Sequence, residues 1–316
     1  MKKFDLLAFF LLFLGCFASV YFLPGQSFTL GRSLNSYFLI LGSYSLFLFS
    51  IYLSLSKINT EKKAFLLKGI LFGTAAGLYL IYGSLDHAPL LKIAGAVGLF
   101  FFLIYYGQIV PEALMICVIF FAVKTHYFSA PLIRYMDQVP LHQIDLFYLT
   151  IGAIVIFQFF VLSKSLKTQL DFSVLPKDFF WISGSVIMAL LVIAPIGMSF
   201  KLIYYEARVF GIEQWIPLLF YYFGIVAPLE EIFFRGIILN RLRFIFFGKN
   251  PYGIPLLISV FLFGLAHLHP LPYILVAGLT GYLYGTGYLL TNRISTPILI
   301  HGTIDVLWVT LFYLPH

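Results

Sequence analysis

Ala227-Pro228-Leu229-Glu230-Glu231-Ile232-Phe233-Phe234-Arg235 sets two carboxylates and a guanidinium inside an apolar stretch. On either side, from Trp215 to Gly224 and from Gly236 to Leu239, the side chains are mostly aliphatic or aromatic. An ionisable group at bilayer depth costs about 2.5–3.5 kcal/mol on insertion scales, so such groups persist mainly where they pair or react. Helical geometry separates the three. Residues four apart lie about 40° apart around the axis, and neighbours about 100°. Arg235 therefore falls beneath Glu231 as an i, i+4 ion pair, whereas Glu230 points elsewhere. Glu231 and Arg235 read as structure and Glu230 as chemistry. Pro228 removes the donor that the Gly224 carbonyl would use, which loosens the turn before Glu230.

The surrounding chain is that of a membrane protein. Of its 316 residues 61% are hydrophobic and 10% charged, against about 25% charged in soluble domains. Apolar runs fall near 6–23, 37–55, 64–83, 91–107, 110–123, 146–163, 179–200, 216–239, 254–268, 271–290 and 294–314. They are continuous rather than alternating, which excludes a β-barrel. The predicted fold is all-α, a polytopic integral membrane bundle of about 10–11 transmembrane helices, some broken, around an intramembrane cavity. With the N-terminus inside, twelve of the 20 Lys and Arg lie on inner loops and five on outer ones. That bias predicts a cytoplasmic N-terminus in the plasma (inner) membrane of a prokaryote. The net charge of +7 suits loops beside anionic lipid, and no basic surface interleaved with aromatics suggests nucleic acid. Cys16 and Cys117 both lie in apolar runs and imply neither a disulfide framework nor a thiolate metal site.

The polar stretch at residues 164–178 separates N-terminal accessory helices, 1–163, from a core at 179–316. That core holds Pro217, Pro228, Pro255, Pro270 and Pro297. Proline breaks are tolerated in membrane helices that line a cavity or pack on protein, so the core reads as the working half. It carries two further polar clusters. His267 closes Phe263-Gly264-Leu265-Ala266-His267, with His269 just beyond, and His301 and Asp305 stand four apart in His301-Gly302-Thr303-Ile304-Asp305. A carboxylate at that spacing can fix the tautomer of the imidazole. Helix depths counted at about 1.5 Å per residue allow one site, with His301 nearest its opening.

These groups suit hydrolysis. Glu230 and His267 could hold and deprotonate a water, while His301, oriented by Asp305, donates to an oxyanion. No cofactor is required. The alternative is a divalent metal such as zinc on Glu230, His267 and His301. No His-Glu-x-x-His helix is present.

Glu230-Glu231-x-x-x-Arg235, Phe263-x-x-x-His267 and His301-x-x-x-Asp305, in that order on successive helices, resemble the motifs of the CPBP (Abi) intramembrane proteases, which are similar to type II CAAX prenyl endopeptidases. The likeness spans roughly residues 180–314. It implies a helical bundle enclosing a cavity, with Glu230 and His267 activating water and His301 with Asp305 forming the oxyanion site. Glu231, Arg235 and Phe263 fill supporting positions. One position departs from the CAAX enzymes, which carry Asn where Asp305 stands. An ionised Asp accepts but cannot donate, which puts prenylated CAAX substrates in doubt.

The expected activity is therefore an intramembrane endopeptidase acting on a membrane-associated peptide or protein. The rivals are an ion- or proton-coupled transporter, since broken helices and midplane carboxylates also describe carriers, and a non-catalytic immunity or scaffold protein.

Overall fold

The computed structural model describes residues 30–55, 64–86, 90–106, 112–124, 146–162, 170–245, 253–267 and 271–313. The apolar run at 6–23 and His269 lie outside them. The described chain is helical apart from one two-residue strand pair and short connections. This is the outcome lipid demands, because a helix satisfies its own backbone where water is absent. Among the described residues, four helices are long and apolar enough to cross a membrane, and five shorter apolar helices accompany them. The protein is a helical membrane bundle. It divides into two compact units, residues 1–169 and 170–316.

In the first unit, α1 is Leu30–Leu55, α2 Ala64–Asp86, α3 Leu90–Tyr106, α4 Glu112–Lys124 and α5 begins at Leu146, ending in a wider π-type turn, Phe157–Leu162. Its core mixes aliphatic side chains with a cluster of aromatics. Tyr79 meets Phe100 edge-on at 5.5 Å, and Phe100 stacks on Phe147 at 5.9 Å. Polar side chains on these helices turn back on their own backbone, as Ser50 and Thr150 do toward the carbonyls of Leu46 and Leu146. A hydroxyl needs such a partner where no water reaches it.

The second unit contains α6 (Asp178–Ser199), the long α7 (residues 212–245), α8 (Ile254–Ala266), α9 (Leu271–Thr291) and α10 (Ser295–Leu311). α7 is one continuous helix whose winding changes. π-type turns at Phe220–Val226 and Ile232–Leu239 flank the short α-helical piece Ala227–Glu231. Pro228 stands at the start of that piece, inside the continuous helix, where its missing N–H leaves a backbone carbonyl of the preceding turn without its donor. Such insertions are frequent at functional sites, and here they bracket the two glutamates.

Ties at both ends hold the unit together. Strands β1 (Tyr204–Tyr205) and β2 (Phe312–Tyr313) pair antiparallel. The Glu206 and Arg208 amides extend the pairing by donating to the Leu311 and Thr310 carbonyls. At the other end Asn240 Nδ2 donates to the Tyr288 hydroxyl at 2.7 Å, joining α7 to α9. Residues 170–177 lie along the α9–α10 turn. The Ile294 amide donates to the Asp171 carbonyl, and Ser295 Oγ to that of Ser173.

Asp178 completes this clasp. Its carboxylate is buried, accepts from the Leu175 amide, and takes both a 2.8 Å bond from Arg293 Nε and a second bond from Nη2. That forked contact holds the guanidinium pKa of Arg293 above its ordinary value. Arg293→Ala would strand a buried carboxylate. We expect it to cost about 1–3 kcal/mol, seen as a lower unfolding midpoint in detergent, with Arg293→Lys intermediate because it cannot form the fork.

Candidate active site

The site begins with Arg235, which is wholly buried. Its Nη1 donates to Glu231 Oε1 at 2.9 Å and its Nη2 to the Gly281 carbonyl of α9 at 2.6 Å. The guanidinium carbon lies 4.6 Å from the centre of the Phe263 ring, 5.3 Å from that of Tyr284 and 5.9 Å from that of Phe234. Aromatic faces attract a cation, so α8 and α9 stabilise the charge that α7 brings in. Gly281 is required for this approach. A Cβ there would stand 2.7 Å from the Phe263 ring and 3.3 Å from Arg235 Nη2.

Glu231 is the junction. Its Oε1 accepts from Arg235 and also faces His301 Nδ1 of α10 at 2.7 Å. The second oxygen, Oε2, has no hydrogen-bond partner among the described residues. On the other edge of the imidazole, Nε2 lies 3.2 Å from Asp305 Oδ2. Both ring nitrogens of His301 therefore face carboxylate oxygens. Only a ring protonated at both nitrogens satisfies the two acceptors together. Tyr284 stacks on that ring at 4.5 Å and 13°, and Phe263 meets it edge-on at 5.8 Å. Gly302 lets α10 come close to α7, since a Cβ there would press on the Phe223 ring at 2.6 Å.

Exposure rises along this chain of contacts. The side chains of Arg235 and Glu231 are 0% exposed and that of His301 3%, whereas Asp305 is 25% exposed. The expectation that His301 lies nearest the opening is thus corrected. The turn that places it under Glu231 seals it behind Tyr284 and Phe263, and Asp305, one turn on, faces outward.

Glu230 and His267 are half-buried. Glu230 lies within electrostatic reach of Arg235 and of Tyr273. His267 stands just past the last turn of α8, with Nδ1 2.9 Å from the Phe263 carbonyl. Its ring is 4.7 Å from Phe263 and 6.3 Å from Tyr273. Asp305 is within electrostatic reach of Tyr222, Tyr273 and Tyr284. Tyr273, in the first turn of α9, is therefore within electrostatic reach of Glu230 and Asp305 and faces the His267 ring. Four helices contribute to a sealed network, Arg235–Glu231–His301, and to a more open rim of Glu230, His267, Asp305 and Tyr273.

Residues 212–307 match the family model described as Type II CAAX prenyl endopeptidase Rce1-like. That segment is similar to the CAAX/CPBP-like intramembrane protease family. The CAAX/CPBP-like segment runs from the start of α7 into α10 and includes every polar group described above. The family is one of proteases. No curated protein and no solved structure matches the chain.

Sequence spacing could not point to Tyr284, Gly281 or Tyr273. Tyrosine occurs 21 times and glycine 25 times in the chain, so neither type marks a position. Among the described residues, no three His, Cys, Asp or Glu side chains are arranged to hold a metal ion.

Proposed function

We propose that the protein is an intramembrane endopeptidase in which Glu230 and His267 activate a water. The observation that carries this reading is the division between two adjacent glutamates. Glu231 is locked in a sealed ion network, while Glu230 is half-buried and within electrostatic reach of Tyr273, whose ring lies 6.3 Å from that of His267. A carboxylate outside the sealed Glu231–Arg235–His301 network can take a proton from water.

The steps follow from that placement. Glu230 removes a proton as the water oxygen bonds to the scissile carbonyl carbon. The carbonyl π electrons move to its oxygen. When the tetrahedral intermediate collapses, the C–N bond breaks and the Glu230 carboxylic acid returns its proton to the leaving amine. His301, clamped between Glu231 and Asp305, serves the oxyanion through its positive charge. Asp305 holds the ring by its accepting oxygen.

The zinc alternative suits this arrangement less well. A ligating imidazole must offer a lone pair, and both nitrogens of His301 face carboxylates. Glu230, His267 and His301 therefore do not fit as a metal set here, and no step is routed through one.

The substrate class is a membrane-associated polypeptide, such as a lipidated tail, a leader peptide or a C-terminal sorting segment. Prenylated CAAX tails are disfavoured by Asp305 standing where the CAAX enzymes have a donor. The bias of basic loops supports a prokaryotic plasma membrane with the N-terminus in the cytoplasm.

The test is reconstitution of the full chain in liposomes with a library of membrane peptides, read by mass spectrometry. New peptide termini are expected from the wild type. Proton or ion flux without any cleavage would overturn the reading and favour a transporter. Inertness in both assays would favour an immunity or scaffold protein.

A further inference from the structure

We infer that Tyr273 is the hydrogen-bond donor of this site, binding the oxyanion where Asp305 cannot. The inference rests on the peptidase reading above. It starts from an unmet requirement. A tetrahedral intermediate needs a preorganised donor aimed at the developing oxygen charge. Asp305, ionised, has no proton to give. His301 has both nitrogens turned toward carboxylates, Nδ1 to Glu231 at 2.7 Å and Nε2 to Asp305 at 3.2 Å. Neither N–H points freely at a substrate. A donor must come from elsewhere.

Three tyrosines lie within electrostatic reach of Asp305, and the structure separates them. Tyr284 is sealed at 1% exposure and its ring is stacked on His301. Tyr222 is 5% exposed and neighbours Asp305 together with Tyr221 and Tyr273. Tyr273 is half-buried, its ring is 6.3 Å from that of His267, and it also neighbours Glu230. Of the three, it alone is within electrostatic reach of both the proposed base and the acceptor-only carboxylate, with its ring facing the proposed water-holding histidine. A phenol keeps its proton at neutral pH, so it can donate while staying uncharged among carboxylates. It sits in the first turn of α9, and His267 caps the end of α8. No proton leaves Tyr273 in this role. Its O–H···O hydrogen bond shortens as the oxyanion forms and relaxes when the C–N bond breaks.

Asp305 and Tyr273 have linked fates in this role. Asn at 305 could accept from His301 Nε2 through its oxygen and donate through its amide. It would then supply the donor that Tyr273→Phe removes.

The experiment measures kcat and KM for peptide cleavage by the full-length protein in liposomes. Four forms are compared: wild type, Tyr273→Phe, Glu230→Gln and the double variant Tyr273→Phe/Asp305→Asn. Loss of one oxyanion donor costs about 10²–10³-fold in kcat. Tyr273→Phe is therefore expected to lose about 10²-fold in kcat with KM and unfolding midpoint unchanged. Adding Asp305→Asn is expected to restore roughly 10-fold or more of that loss. A structural role for Tyr273 would not produce the rescue. Unchanged kcat in Tyr273→Phe, or a loss that Asp305→Asn does not relieve, overturns the inference. Cleavage by the wild type that Glu230→Gln abolishes keeps the peptidase reading in either case. A wild type that cleaves nothing removes that reading, and this inference with it.

Discussion

Glu231→Ala is expected to destabilise the protein by about 3–5 kcal/mol, the cost of removing one partner from a buried ion pair. The carboxylate has 0% exposure and neutralises two groups, Arg235 on its own helix and His301 on α10. Without it, a guanidinium enclosed by Phe263, Tyr284 and Phe234 loses its counter-charge. Glu231→Gln should be markedly milder. One oxygen, Oε1, makes both bonds, and Oε2 has no partner among the described residues. An amide can keep its oxygen in the first position and put its NH2 in the second. Denaturation in mixed micelles checks the order wild type, Gln, Ala. Equal stability of Glu231→Ala and wild type would show that the network contributes nothing.

The adjacent glutamate is expected to behave in the opposite way. Glu230→Gln should lower kcat for peptide cleavage by about 10²–10⁴-fold, the usual worth of a general base, while shifting the unfolding midpoint little. The substitution keeps shape and polarity and removes only the capacity to accept a proton. Glu230 is half-buried and stands at the rim, so its neutralisation strands no sealed cation. Rates on a reconstituted peptide substrate, taken beside the midpoint, separate this outcome from simple unfolding. Retained cleavage would remove Glu230 from the chemistry.

How much of this was legible in the sequence depended on distance along the chain. Contacts within one helix follow from spacing, so the Glu231–Arg235 and His301–Asp305 pairs were readable from a four-residue separation. The membrane bundle followed from continuous apolar runs and scarce charge. The Glu231–His301 contact joins residues 70 apart, and no helical period encodes it. The same holds for the Arg235 bond to the Gly281 carbonyl and for the Asp178–Arg293 clasp, 115 residues apart. Pro228 signalled a disturbance in α7, but not that π-type turns would lie on both sides of the glutamates. Tyr273 and Tyr284 were hidden because an aromatic residue in an apolar helix looks like packing until its neighbours are known. The order of burial was also inaccessible. Depth along a helix says nothing of which side chains cover which, and so His301 was placed at the opening that Asp305 occupies.

One hydrogen-bonded network drawn from separate helices underlies the whole account, and its decisive link is Glu231 to His301. A double-mutant cycle over wild type, Glu231→Ala, His301→Ala and the pair measures that link directly as a free-energy coupling in mixed micelles. Contacting residues in one network couple by about 0.5–3 kcal/mol, and a coupling of at least about 1 kcal/mol is predicted here. Strictly additive losses would mean that α7 and α10 do not share this contact, and the site as described would not exist.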